Sequence, residues 1–277
     1  MAMQQMVKDL IVDRVRGFFN DRSRGERPVE RRDDGLFGPG SVAWKVHGDV
    51  TTMMVGGVAA LLMQMLHPAV LAGVWDHSNF RTDMHGRLRR TARFIALTTY
   101  GSRKEAEQAI ERVREVHRHV KGTLANGRPY SAEDPDLLAW VHITETYCFL
   151  EAWKRYAEPA MPLAEQDLYF SEMRELAMRL GAHDVPAARQ ATVACLRARR
   201  AELEVSGRTR EIVRLLLNPP VQNTAVMPLQ SMTAQAAIDL LPPWARRMHG
   251  LHSSKLSRPM VYGGTAGLAG LLRWAFR

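Results

Sequence analysis

VTTMMVGGVAALLMQMLHPAVLAGVW, residues 50–75, runs for 26 residues without a charged side chain. As one helix it is long enough to span a bilayer. Three features argue against that use. Gln64 and His67 put polar groups near its middle, Pro68 breaks a helix, and Gly56 and Gly57 weaken one. A helix that is apolar all round and still carries His and Gln belongs to the buried centre of a large helical domain. The stretch therefore predicts an all-α protein built around an apolar core helix.

Outward from that core the chain keeps reading as helix. Helical periodicity predicts elements at about 87–99, 103–121, 134–157, 163–180, 186–202 and 207–217, the last stopped by Asn218-Pro219-Pro220. Strand-like alternation with tight hairpin turns is absent. A Pro-Pro-Trp turn at 242–244 precedes a Gly-rich apolar end, YGGTAGLAGLLRWAF (262–276), suited to docking on the domain or facing a membrane. There is no internal repeat. Near the N-terminus Met3, Met6, Leu10, Val15 and Phe18 recur at helical spacing with Lys8, Arg14 and Arg16 between them. That is a basic amphipathic helix and not a secretory signal. Packing on the domain is its expected use, and lying on a membrane surface the other. Residues 21–40, DRSRGERPVERRDDGLFGPG, read as a linker or surface loop. The organisation expected is an N-terminal helix and Arg-rich linker over 1–39, then a single multi-helix domain over 40–277.

Composition narrows the function classes. At 46% hydrophobic and 24% charged residues the chain can bury a sizeable core. Cys148 and Cys195 make neither a disulfide framework nor a zinc site, which fits a reducing cytosol. The expected location is cytoplasmic, with peripheral membrane contact as the next option. The net charge of +9 invites a nucleic-acid partner. Yet no zinc-finger spacing, RNP-like strand or phosphate loop accompanies it, so no nucleic-acid partner is expected.

Two histidines in VREVHRHVKG (113–122) bear on the chemistry. Ile110, Val113, Val116, Val120 and Leu124 define one apolar stripe, and His117 falls inside it. His119 lies roughly 200° further round, among Arg112, Glu115 and Arg118. The two cannot share a metal. His119 belongs to the surface and His117 points inward, as a ligand or as a satisfied core histidine. In GRLRRTARF, Arg87, Arg90 and Thr91 share one helix face at i, i+3 and i+4. Two guanidiniums and a hydroxyl there suit an anionic group, although a solvated basic face has the same pattern.

The order of motifs says more than any one of them. LLMQMLHPAVLAGVWDHSNF (61–80) is followed by GRLRRTARFIALTTYGS (86–102), AIERVREVHRHVKG (109–122) and RPYSAEDPDLLAWVHITETY (128–147). Over roughly residues 40 to 250 this resembles the MpaB-type oxygenase family, which shares a domain with the bacterial rubber oxygenases called latex-clearing proteins. The resemblance implies an all-α fold enclosing heme b. It places the proximal iron ligand in a His-x-x-Val-x-Gly helix, matched by His117, Val120 and Gly122. The family's Arg-x-x-(Lys/Arg)-Thr stretch matches Arg87, Arg90 and Thr91. Where latex-clearing proteins carry a lysine able to bind iron on the distal side, this chain has Arg90, which stays protonated and does not ligate. The distal position is then open, filled by water or taken by another histidine. His67 is a candidate for that role or for core structure, with His77 and His142 behind it.

What the resemblance implies is a heme b-dependent oxygenase acting with dioxygen on an apolar, isoprenoid- or lipid-like molecule. His117 would hold iron, Arg87 would meet a propionate or polarise the pocket, and Thr91 would hydrogen-bond dioxygen. The Met- and Leu-rich 53–66 segment would wall an apolar pocket. The alternative is a heme-binding protein without turnover, a sensor, carrier or store. A basic helical interaction protein that has lost heme ranks last.

Overall fold

The computed structural model describes residues 2–20, 25–218, 227–253, 256 and 258–276; the expected Pro219-Pro220 stop and the Phe18 side chain lie outside that set. The chain is all-α apart from one short hairpin. The apolar stretch forms α3 (Val50–Gln64) and α4 (Pro68–His77), which meet at an angle of 106°. Pro68 sits in the first turn of α4, where its missing N–H costs nothing, and Met65 closes α3. Among the described residues no single helix is long and apolar enough to cross a membrane, and this sharply bent pair alone has the length and composition.

The most extensive packing in the fold is α3 against α7 (Pro135–Tyr156). Gly56 explains why. A Cβ there would stand 2.8 Å from Phe149 Cδ1 and 3.0 Å from the Cys148 carbonyl, so only glycine lets the two backbones approach this closely. The residue that weakens α3 as an isolated helix is the one that seats it in the core. Leu62, Met63, Trp140 and Ile143 fill the space around this crossing.

Other helices enclose the pair. α2 (Val42–His47) and α8 (Leu163–Leu180) pack together, and α5 (Met84–Tyr100) lies along α6 (Arg103–Arg118). α9 (Arg189–Ala198), α10 (Gly207–Leu217), α11 (Met227–Leu240) and α12 (Pro243–Met248) follow, and α11 and α13 (Arg258–Ala275) both reach α3. The buried Asp49 carboxylate ties the ends together. One oxygen caps α3 by accepting from Thr52 N at 2.8 Å, and the other accepts from Arg273 of α13 at 2.8 Å. At the N-terminus α1 (Ala2–Phe19) packs on α13 and α5, leaving Met3, Met6 and Leu10 exposed.

Several boundaries differ from the sequence expectations. The helix expected over 103–121 ends at Arg118, and the chain turns into β1 (Lys121–Thr123), paired antiparallel with β2 (Pro129–Ser131). Leu124 therefore lies beyond β1, outside the helical stripe. The Tyr130 ring lies so close to Gly122 that a Cβ there would meet its Oη at 2.7 Å. Val116, also assigned to the stripe, is 56% exposed, because α6 meets its neighbours over a face narrower than the periodicity suggests. The helix expected over 186–202 starts at Arg189 and tightens into a 3₁₀ turn at Arg199–Glu202.

Candidate functional site

A cavity of about 1220 Å³ opens beside the α3–α7 crossing. Drug-sized ligands occupy pockets of about 300–1,000 Å³, so this space can take a large planar group and a second molecule together. One wall is α3, through Met53, Met54, Gly57, Val58, Leu61 and Gln64, with Leu138, Val141 and Glu145 of α7. The facing wall is α5 and α6, through Arg87, Leu88, Thr91, Ile95, Val113 and His117. The end of α1, residues 27–31 and the end of α13 also border it. The Met- and Leu-rich segment thus walls an apolar cavity, the place expected for it.

His117 occupies the last turn of α6, and the cavity is on its side of the helix. Burial lowers the affinity of its ring for a proton, while Glu133 acts weakly in the other direction. The ring is therefore neutral, the form that ligates metal. Its Nδ1 is buried and neither nitrogen has a hydrogen-bond partner among the described residues. His119 caps the helix and stands in solvent, its side chain 77% exposed beside Glu115.

The three α5 residues share a face but not an environment. Arg87 is half-buried, donates to Ser78 Oγ at 2.9 Å, and has no carboxylate partner among the described residues. Burial and the neighbouring Arg90 charge both lower its proton affinity, so an anion in the cavity would relieve it. Arg90 is exposed and engaged by Asn79 Oδ1 at 3.1 Å and Asp83 Oδ2 at 3.3 Å. Those bonds tie it to the N-cap of its own helix, since Asp83 also accepts from Gly86 N. Thr91 donates its hydroxyl hydrogen to the Arg87 carbonyl at 3.2 Å, which leaves its lone pairs as the group presented outward.

The other histidines separate clearly. His67 caps α4, stands 3.6 Å from Glu202 and packs near Trp140, away from the cavity, a placement that suits a structural role. His77 is exposed at the end of α4 beside Tyr130. His142 does reach the cavity wall. It hydrogen-bonds the Met173 backbone, its Nε2 is buried without a partner, and burial pushes its pKa down to about 4.

Two cavity residues carried no signal strong enough to single them out. His47 bridges Thr99 at 2.8 Å and Tyr169 at 2.9 Å, and burial holds it neutral with a pKa of about 3. It came from a helix of six residues, too short for periodicity to orient. Glu145 lies on the cavity side of α7, and burial alone lifts its carboxyl to about 7. The available hint was an acid three residues after His142, in the middle of a helix whose other charged residues lie toward its ends. No group of three or more His, Cys, Asp or Glu side chains among the described residues could hold a metal ion by itself.

Comparison with protein families gives a match over residues 44–274 to the catalytic domain described as ER-bound oxygenase mpaB/B'/rubber oxygenase. The match covers most of the chain, and the protein belongs to that family. Its general activity class is that of an oxygenase. Curated proteins and solved structures gave no match.

Proposed function

We propose that this family member is a heme b-dependent oxygenase acting, with dioxygen, on an apolar isoprenoid- or lipid-like small molecule, and that His117 is the proximal iron ligand. The observation that carries the proposal is His117 itself, a neutral imidazole bordering a large apolar cavity with no competing protein partner. The chemistry of the surrounding donors fits heme. Seven arginines, Arg16, Arg27, Arg31, Arg87, Arg90, Arg93 and Arg273, border the cavity, against the acids Glu30, Asp49 and Glu145. A group with two carboxylates and an apolar macrocycle suits such a lining.

Heme, when bound, supplies the iron at which dioxygen is activated. The chain's own residues do the rest. His117 would give one ring nitrogen to iron, with its buried Nδ1 unengaged by any described residue. Arg87 is half-buried on the same wall as His117 and has no carboxylate partner among the described residues, so it is the first choice to meet a propionate. Arg90 is engaged at the rim and holds the start of α5 in place. Thr91 offers a hydroxyl that could donate a hydrogen bond to dioxygen if it turned from the Arg87 carbonyl. The α3 wall excludes water and holds the hydrocarbon part of the substrate.

An apolar substrate of this kind partitions into lipid. Met3, Met6 and Leu10 of α1, Met260 and Leu271 of α13 and Phe276 just beyond it are exposed, and α1 also carries Lys8, Arg14 and Arg16. That composition supports peripheral contact with an anionic membrane surface.

The test is the absorption spectrum of the purified protein after hemin titration, with a pyridine hemochrome assay, beside His117→Ala. A Soret band in the wild type that is lost or shifted in the variant is expected. A wild-type protein that stays colourless with hemin overturns the proposal. A protein that loads heme through His117 but consumes no oxygen with reductant and lipid is the non-catalytic alternative.

A further inference from the structure

Glu145 is an unusual group to find in this cavity. It projects from the middle of α7, the helix packed most closely against the core, and it borders the cavity beyond His142. Its surroundings are Phe149 of the same helix and, within electrostatic range, Cys148 and Tyr169. No hydrogen bond or ion pair to a described residue satisfies it. Of the polar groups that share this part of the cavity lining, His47 is spent on Thr99 and Tyr169 and the Gln64 amide donates to the Val141 carbonyl at 3.2 Å, while His142 Nε2 has no partner among the described residues. Burial is the sole cause of its raised proton affinity, so no cation compensates it.

Glu145 is half-buried, and a carboxyl group on the wall of an apolar cavity without a protein partner loses part of its hydration with no bond in return. A structural acid would be paired, as Asp49 is with Arg273. Glu145 is instead directed at the space a ligand would fill. The arginines at the rim, Arg16, Arg27, Arg31 and Arg90, are exposed and repel a cation on its way in. An ammonium head would also have to shed its water in an apolar cavity. A neutral hydroxyl meets neither barrier and can donate one hydrogen bond to the carboxylate.

We propose that Glu145 is a specificity-determining residue that accepts a hydrogen bond from the hydroxyl head of an otherwise apolar substrate and so orients its chain in the cavity. The substrate class is then a long-chain or isoprenoid alcohol and not a plain hydrocarbon. This deepens the proposed function and rests on it in one respect, that the cavity is the substrate site.

The test is calorimetric binding to the heme-loaded protein at pH 8.5 of 1-decanol, decyl methyl ether and decylamine. The ether keeps the oxygen and the chain but cannot donate. In the wild type the alcohol is expected to bind about tenfold tighter than the ether, the size of one hydrogen bond to a charged acceptor. Glu145→Leu should erase that preference, and Glu145→Gln, which keeps a carbonyl acceptor, should restore part of it. Equal binding of alcohol and ether to the wild type overturns the proposal. So does a preference that survives in Glu145→Leu, or an amine that binds tighter than the alcohol. Hemin titration of the same proteins keeps the two proposals apart. Wild type and Glu145→Leu should load heme alike, whereas a wild type that fails to load heme overturns the functional proposal alone and leaves the alcohol preference measurable on the heme-free protein.

Discussion

The two walls of the cavity are built on opposite principles. The α3–α7 wall is a crossing of the uncharged helix α3 with the mixed helix α7, closed by glycine and lined mostly by half-buried apolar groups. The α5–α6 wall is a pair of amphipathic helices with arginines at its rim and one histidine turned inward. The first wall sets the shape of the cavity and the second brings most of the charge. Stability is therefore expected to depend on the first wall, and affinity for the proposed cofactor on the second.

Substitutions can break that division. The largest effect is expected at Gly56, where Gly56→Leu would drive a side chain into Phe149 and the α7 backbone. It should cost about 3 kcal/mol or more in urea unfolding, by overpacking. One residue on, Gly57 faces the cavity, with Phe149 Cε1 at 3.7 Å from an added Cβ. Gly57→Ala should stabilise by up to about 1 kcal/mol. Similar losses at both glycines would mean that closeness of approach is not what distinguishes them.

Next in size is Asp49→Ala, which removes the cap of α3 and leaves Arg273 without its buried partner. A loss of about 2 kcal/mol is expected, read as a lower urea midpoint with the slope unchanged.

Glu145→Gln should act with the opposite sign and sharpen the comparison through pH. Burial raises the folded-state pKa of Glu145 from its usual 4.5 to about 7. The folded protein therefore holds that proton more tightly than the unfolded chain. The resulting penalty is absent below about pH 4.5 and complete above about pH 7. His47 and His142 run the other way, with folded pKa values of about 3 and about 4, so their penalty grows as pH falls below 6.5. Glu145→Gln should leave stability at pH 4.5 unchanged and raise it by roughly 2 kcal/mol at pH 7.5, as judged by urea midpoints at the two values. A variant with the same gain at both pH values would show that ionisation of Glu145 is not the cause.

The smallest effect on stability is expected on the charged wall. Arg87→Met and Arg90→Met should each change it by less than about 1 kcal/mol, since Arg87 has one neutral partner and the Arg90–Asp83 pair is solvent-exposed. Their hemin affinities should differ. Arg87→Met should weaken binding several-fold and Arg90→Met should leave it nearly unchanged, as measured by Soret titration. Equal weakening would return Arg90 to the site.

Much of this was legible in the sequence, for identifiable reasons. The unbroken apolarity of 50–75, with Gln64, His67 and Pro68 inside it, is enough to predict a buried core helix with a breaker at Pro68, while the sharp turn into a second helix is seen only in the structure. Helical phase is enough to separate His117 from His119, because two residues on a helix face different ways whatever surrounds them. The spacing of Arg87, Arg90 and Thr91 likewise places them on one face.

Partnership is what a local pattern cannot carry. Arg87 and Arg90 read alike until Asp83 and Asn79 are seen to engage one and not the other. His67 and His142 are both histidines in apolar stretches, yet the chain turn at Pro68 brings one to Glu202 and the α7 packing brings the other to the cavity. Gly56 reads as a weak point until Phe149 is found against it, and Glu145 as one acid in a long helix until it is found on the cavity wall with no partner among the described residues. Periodicity depends on the backbone of a single element, so the sequence determined by itself which elements form and which way their residues face. Burial, pairing and pKa depend on residues distant in the chain, so only the tertiary structure decided which of the inward-facing polar groups are satisfied and which remain for a ligand.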